Sequence, residues 1–145
     1  MRHPVSNEVM QPAPLAGEPL VTAAGVDPRE TLADWMLKPE NPFFARAMVN
    51  RVWGQFFGRG IVHPVDDFRA TNPPTNPALL DALADDFANK GFDLKHLMRR
   101  IMNSHLYQIS SIPNKTNVRD TRSFSRFYRR ILSAENLHDI IVQVT

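Results

Sequence analysis

The chain has 145 residues, five histidines, no cysteine and a formal net charge of +2. This length suits one domain with its own hydrophobic core, and the lack of cysteine excludes disulfides, thiolate metal sites and covalent attachment of a c-type haem within this sequence. The sequence also lacks an apolar run of the ~20 residues that a membrane-spanning helix needs, so it predicts no span.

The positive charge is concentrated in residues 99–130, which carry eight basic residues against one acidic residue, Asp120. Residues 1–98 are net negative, with nine basic and twelve acidic residues. Arginines interleaved with aromatic residues are compatible with nucleic acid, because they neutralise phosphates while the rings stack on bases. We favour instead either a solvated face or a surface that docks on an acidic partner domain, and we expect this basic surface to include Arg99, Arg100, Arg126, Arg129 and Arg130.

The first part of the chain predicts little regular structure. Residues 1–26 contain several prolines and no apolar period, which is typical of an extended or disordered lead-in. Asp27-Pro28-Arg29-Glu30 then combines a capping residue, a first-turn proline and an acidic residue, which predicts a helix start. This helix is short, because Pro39 ends it.

The central helix is predicted from Asn41 to position 57. Asn41 is a capping residue and Pro42 fits a first helical position. Apolar residues then recur on one face of the helix, which indicates that this face belongs to the core. The turn Gly58-Arg59-Gly60 ends the helix where left-handed backbone geometry is needed.

Two further helices are predicted to form an antiparallel hairpin over residues 77–106. Asn76-Pro77 begins the first helix and Asp93 caps the second. The apolar stripe of the second helix is predicted to be core and to continue to Leu106; for this reason we interpret Met98 and Met102 as core residues rather than haem ligands.

Residues 110–125 are polar and predict a loop, after which Ser133 caps a last helix. That helix reaches Thr145 without a stop signal, so we expect the helical domain, residues 27–145, to be truncated at its C-terminus. The predicted fold is all-α: a single irregular bundle of about five helices with long proline-rich loops.

Together these residues resemble one family, the C-terminal domain of unknown function in large, multidomain planctomycete-type cytochrome c proteins. The resemblance covers roughly residues 27–145 in order and spacing. It rests on RETLADW at 29–35, NPFFARAMVNRVWGQFFGRGIVHPVDDF at 41–68, NPALLDALADDF at 76–87, GFDLKHLMRRIMNSHLYQISS at 91–111, and RRILSAENLHDIIVQVT at the end.

The resemblance implies a setting rather than an activity. It implies a periplasmic or extracellular protein in which haem c belongs to an upstream domain, with no cofactor in this chain. The implied partners are other domains of the same protein and a redox or polysaccharide partner. The family's domain has no established activity, so no catalytic residues can be assigned.

The densest set of polar residues surrounds the central helix and its turn. One hypothesis is an anion or partner contact, since arginines offer planar pairs of donors to carboxylate, sulfate or phosphate. The alternative is structural: Arg51 or Arg59 pairs with Asp66 or Asp67 and fixes the loop. A metal site is not expected, because the spacing matches no known motif. The candidate residues are Arg46, Asn50, Arg51, Arg59, His63, Asp66 and Asp67.

These observations favour a non-catalytic scaffold or docking module. The alternative function is a hydrolase-like enzyme that uses the Arg, His and Asp cluster on an anionic or sugar substrate. The two differ in geometry: an enzyme holds these side chains converging in an open pocket, whereas a scaffold pairs them with one another.

Overall fold

The computed structural model describes residues 2–20, 23 and 25–144. Within these described residues, every regular secondary-structure element is an α-helix, so the predicted all-α fold is confirmed. The chain divides into two compact units, residues 1–44 and 45–145, with the division at the start of the second helix. The six helices are α1 (Pro28–Met36), α2 (Phe44–Phe57), α3 (Pro77–Asn89), α4 (Leu94–Met102), α5 (His105–Gln108) and α6 (Ala134–Val144).

The first unit contains α1, which begins where the capping signal predicts. The Asp27 side chain accepts a hydrogen bond from the Arg29 backbone N–H at 2.9 Å. Before it, residues 4–6 form a turn, and Arg2 and Val9 form an isolated antiparallel bridge. The lead-in prediction for residues 1, 21, 22 and 24 lies outside the described residues, and the predicted domain boundary at residue 27 stays a prediction.

The central helix, α2, begins at Phe44, two residues later than Pro42, the predicted first helical residue. Asn41 nevertheless acts as a cap, because its Oδ1 accepts hydrogen bonds from the backbone N–H groups of Phe43 and Phe44 at 2.9 and 3.0 Å. The predicted apolar face is largely buried: Ala45, Val49, Val52 and Trp53 are buried, while Phe44, Met48 and Phe56 are half-buried. The helix also buries Asn50 and Phe57.

The glycines after α2 have different roles. Gly58 has a φ of +73°, the left-handed geometry predicted for the turn. Gly60 is needed for a different reason, which is close packing: a Cβ there would lie 2.2 Å from the Val62 carbonyl oxygen. The chain then enters a loop in which Ile61 and Val62 are buried.

The predicted hairpin is present as α3 and α4, which contact each other. Leu80, Ala84 and Phe87 of α3 share the core with Leu97 and Ile101 of α4. An aromatic cluster of Phe57, Tyr107, Phe124 and Phe127 joins this core, with ring centroids 5.4–5.9 Å apart in each contacting pair.

Two predictions for α4 are wrong. The helix does not continue to Leu106; instead Ser104 Oγ donates to the Ile101 carbonyl and accepts from the Tyr107 N–H, which starts the separate helix α5. Met98 and Met102 are also not core, since they are 36% and 40% exposed. Only Leu97 and Ile101 of this helix are buried, so the buried face is narrower than the apolar stripe.

The last helix, α6, begins after Ser133 as predicted, and the Ser133 Oγ accepts from the Asn136 N–H at 3.3 Å. It contains no buried residue. The prediction that the helix reaches Thr145 lies outside the described residues. Within the described part of the chain, no helix has the length and apolar character needed to cross a membrane.

Candidate functional site

The seven candidate residues around α2 are engaged mainly in local contacts. Arg51 forms a two-pronged ion pair with Asp66, with Nε–Oδ1 and Nη2–Oδ2 distances of 2.8 and 3.1 Å. Arg46 Nε lies 3.1 Å from Asp81 Oδ1 on α3, an ion pair whose angle is outside that of a hydrogen bond. Of the two interpretations, the structural pairing of Arg51 with Asp66 is the one that the geometry shows.

Asn50 is a residue of α2 whose side chain holds the loop that follows this helix. Its side chain is fully buried and makes three hydrogen bonds to backbone groups. Nδ2 donates to the carbonyls of Val62 and Val65 at 2.9 and 2.6 Å, while Oδ1 accepts from the Val62 N–H at 2.9 Å. Buried polar groups need such partners, so Asn50 fixes the path of the loop and is not available to a ligand.

Asp67 and His63 complete this first cluster. Asp67 accepts from Arg69 Nε and Nη2 at 2.6 and 2.7 Å, and the Arg69 side-chain hydrogen bond holds the pKa of that carboxyl below its ordinary value. The His63 side chain is exposed, and its carbonyl accepts from Asn72 Nδ2 at 3.2 Å. No three acidic or histidine side chains within the described residues lie close enough together to hold a metal ion.

Arg59 lies elsewhere, in a cavity of about 620 Å³ at the C-terminal end of α2. Here the structure combines one residue of the first predicted cluster with three of the predicted basic surface. We call this cavity the arginine recess; it is lined by Phe57, Gly58, Arg59, Asp120, Thr121, Arg126, Tyr128, Arg129, Arg130 and Ile131.

Asp120, the one carboxylate among the lining residues, accepts hydrogen bonds from the loop in which it lies. It accepts hydrogen bonds from Ser125 Oγ and from the backbone N–H groups of Arg122, Ser123 and Ser125, at 2.5–2.9 Å. Burial acts to raise the pKa of Asp120, but these hydrogen bonds outweigh burial and hold the pKa well below its ordinary value. Asp120 therefore shapes residues 120–125 as a permanent anion.

The aromatic core contributes Phe57 and Tyr128 to the lining of the recess. Phe124 is buried against Trp53 and Phe57 in edge-to-face contacts, with ring centroids 5.5 and 5.6 Å apart. The Phe124 N–H donates to the Tyr128 hydroxyl oxygen at 3.0 Å, and partial burial raises the pKa of this hydroxyl. The Arg126 guanidinium carbon then lies 5.3 Å from the centre of the Tyr128 ring, within range of a cation–π contact.

The four arginines of the recess differ in what they already bind. Arg130 Nη1 donates to the Gln55 carbonyl in the last turn of α2, and Arg129 Nε donates to Ser111 Oγ at 3.4 Å. Arg59 Nε and Arg126 Nε are buried and have no hydrogen-bond partner. The recess therefore contains two engaged arginines and two with unmet donors.

Arg99 and Arg100, the other predicted basic residues, line a separate cavity of about 380 Å³ with His96 on α4. Arg100 Nε lies 3.6 Å from Asp86 Oδ2, and His96 Nε2 lies 2.8 Å from the same oxygen. The predicted basic surface thus consists of two groups, one on α4 and one in the recess.

Sequence reasoning did not foresee the structural parts played by Asp120 and Tyr128. The spacing between Asp120 and Ser125 carries a signal for a side-chain-capped loop, since aspartate commonly accepts from backbone N–H groups two or three residues later. Nothing in the local sequence around Arg59 pairs it with Arg126, because the two residues are 67 positions apart and share the recess only in the folded chain.

Comparison with known proteins gives one family. The model of the family described as PSD1, protein of unknown function (DUF1553), matches residues 28–145. No curated protein and no solved structure matches the chain. The predicted resemblance to a domain of unknown function is confirmed at this level. Since the match covers well over half of its length, the chain belongs to the PSD1 family of proteins of unknown function (DUF1553).

Proposed function

We propose that this domain is a non-catalytic docking module, and that its arginine recess binds an acidic group of a partner. The observation that carries this proposal is the convergence of Arg59, Arg126, Arg129 and Arg130 on one cavity whose only carboxylate, among the lining residues, is Asp120. Four guanidinium groups against this one carboxylate leave the cavity with an excess of positive charge. The oxygens of Asp120 already accept hydrogen bonds from their own loop.

The arrangement suits a carboxylate or another oxyanion. Guanidinium groups are planar, keep their charge and present paired N–H donors that match the two oxygens of a carboxylate. The C-terminal end of a helix attracts cations, and at the end of α2 Arg130 donates to the Gln55 carbonyl. The other three arginines therefore supply the positive charge that binds the anion.

The donor set favours binding over proton transfer. Arginine keeps its proton throughout the physiological pH range and therefore orients an anion without exchanging protons with it. The Tyr128 hydroxyl is engaged with the Phe124 N–H, and its raised pKa keeps it protonated. The hydrolase-like alternative relied on Arg51, Arg59, His63 and the neighbouring aspartates, but Arg51 is paired with Asp66 and Arg59 belongs to the recess.

The setting of the module is part of the same proposal and is supported by the sequence resemblance alone. We place the domain in a periplasmic or extracellular protein linked to cytochrome c, with haem c in an upstream domain and no cofactor in this chain. The partner is then an acidic surface of another domain of that protein, or of a redox or polysaccharide partner.

The test compares two pairs of arginines with equal charge. Fluorescence anisotropy with a labelled oligoglutamate peptide measures the affinity of the wild-type chain, of Arg59→Gln/Arg126→Gln and of Arg99→Gln/Arg100→Gln. We expect the recess variant to bind about tenfold more weakly or worse, since charge-assisted hydrogen bonds are worth about 1.5–3 kcal/mol each. The α4 variant should change the affinity less than about twofold, by the same arithmetic. Equal losses in both variants, with folding verified by circular dichroism, would exclude the recess as the docking site.

A further inference from the structure

The unmet donors of the arginine recess distinguish two of its four arginines. Among the described residues, side-chain nitrogens that are buried without a hydrogen-bond partner occur at Arg46, Trp53, Arg59 and Arg126. Arg46 is accounted for by the nearby Asp81 carboxylate. Arg59 and Arg126 line the same cavity and form no ion pair within the described part of the chain. A buried donor without a partner destabilises the fold, so an acceptor that reaches either Nε atom offsets an existing penalty.

We propose that Arg59 and Arg126 together form a seat for a single oxyanion, while Arg129 and Arg130 only build the wall around it. This inference rests on the proposed function, because it names which residues of the recess bind the acidic group. The ligand class is a small oxyanion group: a carboxylate, sulfate or phosphate that accepts from both guanidinium groups.

The two seat arginines have different surroundings. Arg59 stands between Gly58 and Gly60, in the turn that closes α2. Arg126 lies against the Tyr128 ring, and Tyr128 is tied to the Phe124 N–H. The contact with the Tyr128 ring restricts the Arg126 side chain, so ordering that side chain on an anion costs less than ordering a free one.

The other two arginines have different tasks. Arg130 is bound to the Gln55 carbonyl, and its Cδ would lie 2.9 Å from a Cβ placed on Gly58, so its stem is packed on the turn. Arg129 donates to Ser111. Both contribute positive charge to the recess but have fewer free donors to offer.

Lysine substitution separates this seat from general positive charge, because lysine keeps the charge and lacks the planar pair of donors. We would titrate sulfate, phosphate and acetate, at constant ionic strength, into the wild-type chain, Arg59→Lys/Arg126→Lys and the matched control Arg129→Lys/Arg130→Lys. Chemical shifts of the backbone amides around the recess report binding. The seat predicts about tenfold weaker binding in the first variant and less than about a twofold change in the second.

The outcomes separate the two proposals. If Arg59→Lys/Arg126→Lys binds the anions like the wild type, the seat is wrong; the docking proposal stands provided that Arg59→Gln/Arg126→Gln still loses the oligoglutamate peptide. If none of the three anions shifts the recess amides of the wild-type chain, the seat is also excluded. If the seat is correct, the relative affinities for acetate and for the two tetrahedral anions show whether a carboxylate or a sulfate or phosphate group is preferred.

Discussion

At the scale of single residues, a buried amide side chain organises the loop after α2. Asn50 has no exposed surface, and it reaches backbone groups twelve and fifteen positions along the chain. Gly60 allows this contact, because a Cβ there would lie 2.9 Å from the Asn50 amide nitrogen and oxygen. These two residues must therefore be considered together: one makes the hydrogen bonds and the other leaves space for them.

Replacing Asn50 by alanine is predicted to reduce the free energy of unfolding by about 2–4 kcal/mol, since buried groups of Val62 and Val65 lose their partners. Urea denaturation followed by circular dichroism measures this change. The control is Asn89→Ala, an exposed asparagine at the end of α3, for which we expect less than about 0.5 kcal/mol. Similar small losses in both variants would show that the Asn50 hydrogen bonds do not stabilise the fold.

Asp120 gives a prediction with a defined pH dependence. The folded state holds the pKa of Asp120 below its ordinary value of 3.8, so its stabilising effect is complete above about pH 4 and is lost as the pH falls further. Asparagine at this position cannot reproduce the full set of bonds, because its amide nitrogen donates and does not accept.

We therefore expect the melting temperature of Asp120→Asn to lie below that of the wild type at pH 7, and the gap to narrow progressively below about pH 4. Differential scanning calorimetry across this range measures the gap. A gap that stays constant down to about pH 2 would mean that the Asp120 charge does not stabilise the loop.

At the scale of elements, the helices differ in how much of their surface is covered. Six residues of α2 are buried, whereas α6 has none. A helix of 11 residues is shorter than the ~12–15 residues at which an isolated helix becomes even marginally stable in water. Most helical stability comes from a packed face, so α6 is expected to be the least stable helix of its unit.

The expected result is rapid amide hydrogen exchange in α6 and slow exchange in α2, because local opening costs less where few groups are buried. Two-dimensional NMR after transfer to deuterated buffer measures both helices in one sample, so α2 is the internal control. Protection of Ile140 and Val142 amides comparable to that of Val49 and Val52 would contradict this prediction.

At the scale of the whole molecule, the charge distribution predicts how an acidic partner binds. The net charge is only +2, yet four arginines line one recess, so we expect the proposed binding to depend on local rather than overall charge. Exposed charges are screened within about 8–10 Å at physiological salt, whereas partly buried pairs are screened less.

We expect the affinity for the oligoglutamate peptide to fall as sodium chloride rises from about 50 to 500 mM, but to retain a salt-resistant part that depends on Arg59 and Arg126. Anisotropy titrations at several salt concentrations measure both parts. In Arg59→Gln/Arg126→Gln the salt-resistant part should disappear; its persistence would assign it to another surface of the chain.

The sequence by itself determined the helical class, the capped starts of α1, α3, α4 and α6, and the glycine turn after α2. These features depend on neighbours within a few positions: Asn76 caps through the Leu79 N–H, and Gly58 supplies a positive φ. Local periodicity was less informative about the width of the buried face, so Met98 and Met102 were placed in the core although they are exposed.

Only the tertiary structure decided the candidate site. Arg59 and Arg126 are far apart in sequence, yet both line the arginine recess, next to the core in which Phe124 packs edge-to-face on Trp53 and Phe57. The same folding removed Asn50 from the candidate set by burying it, and it paired Arg51 with Asp66. Capping and turn signals arise from short-range hydrogen bonds and backbone geometry, whereas a recess depends on long-range packing that no local pattern encodes.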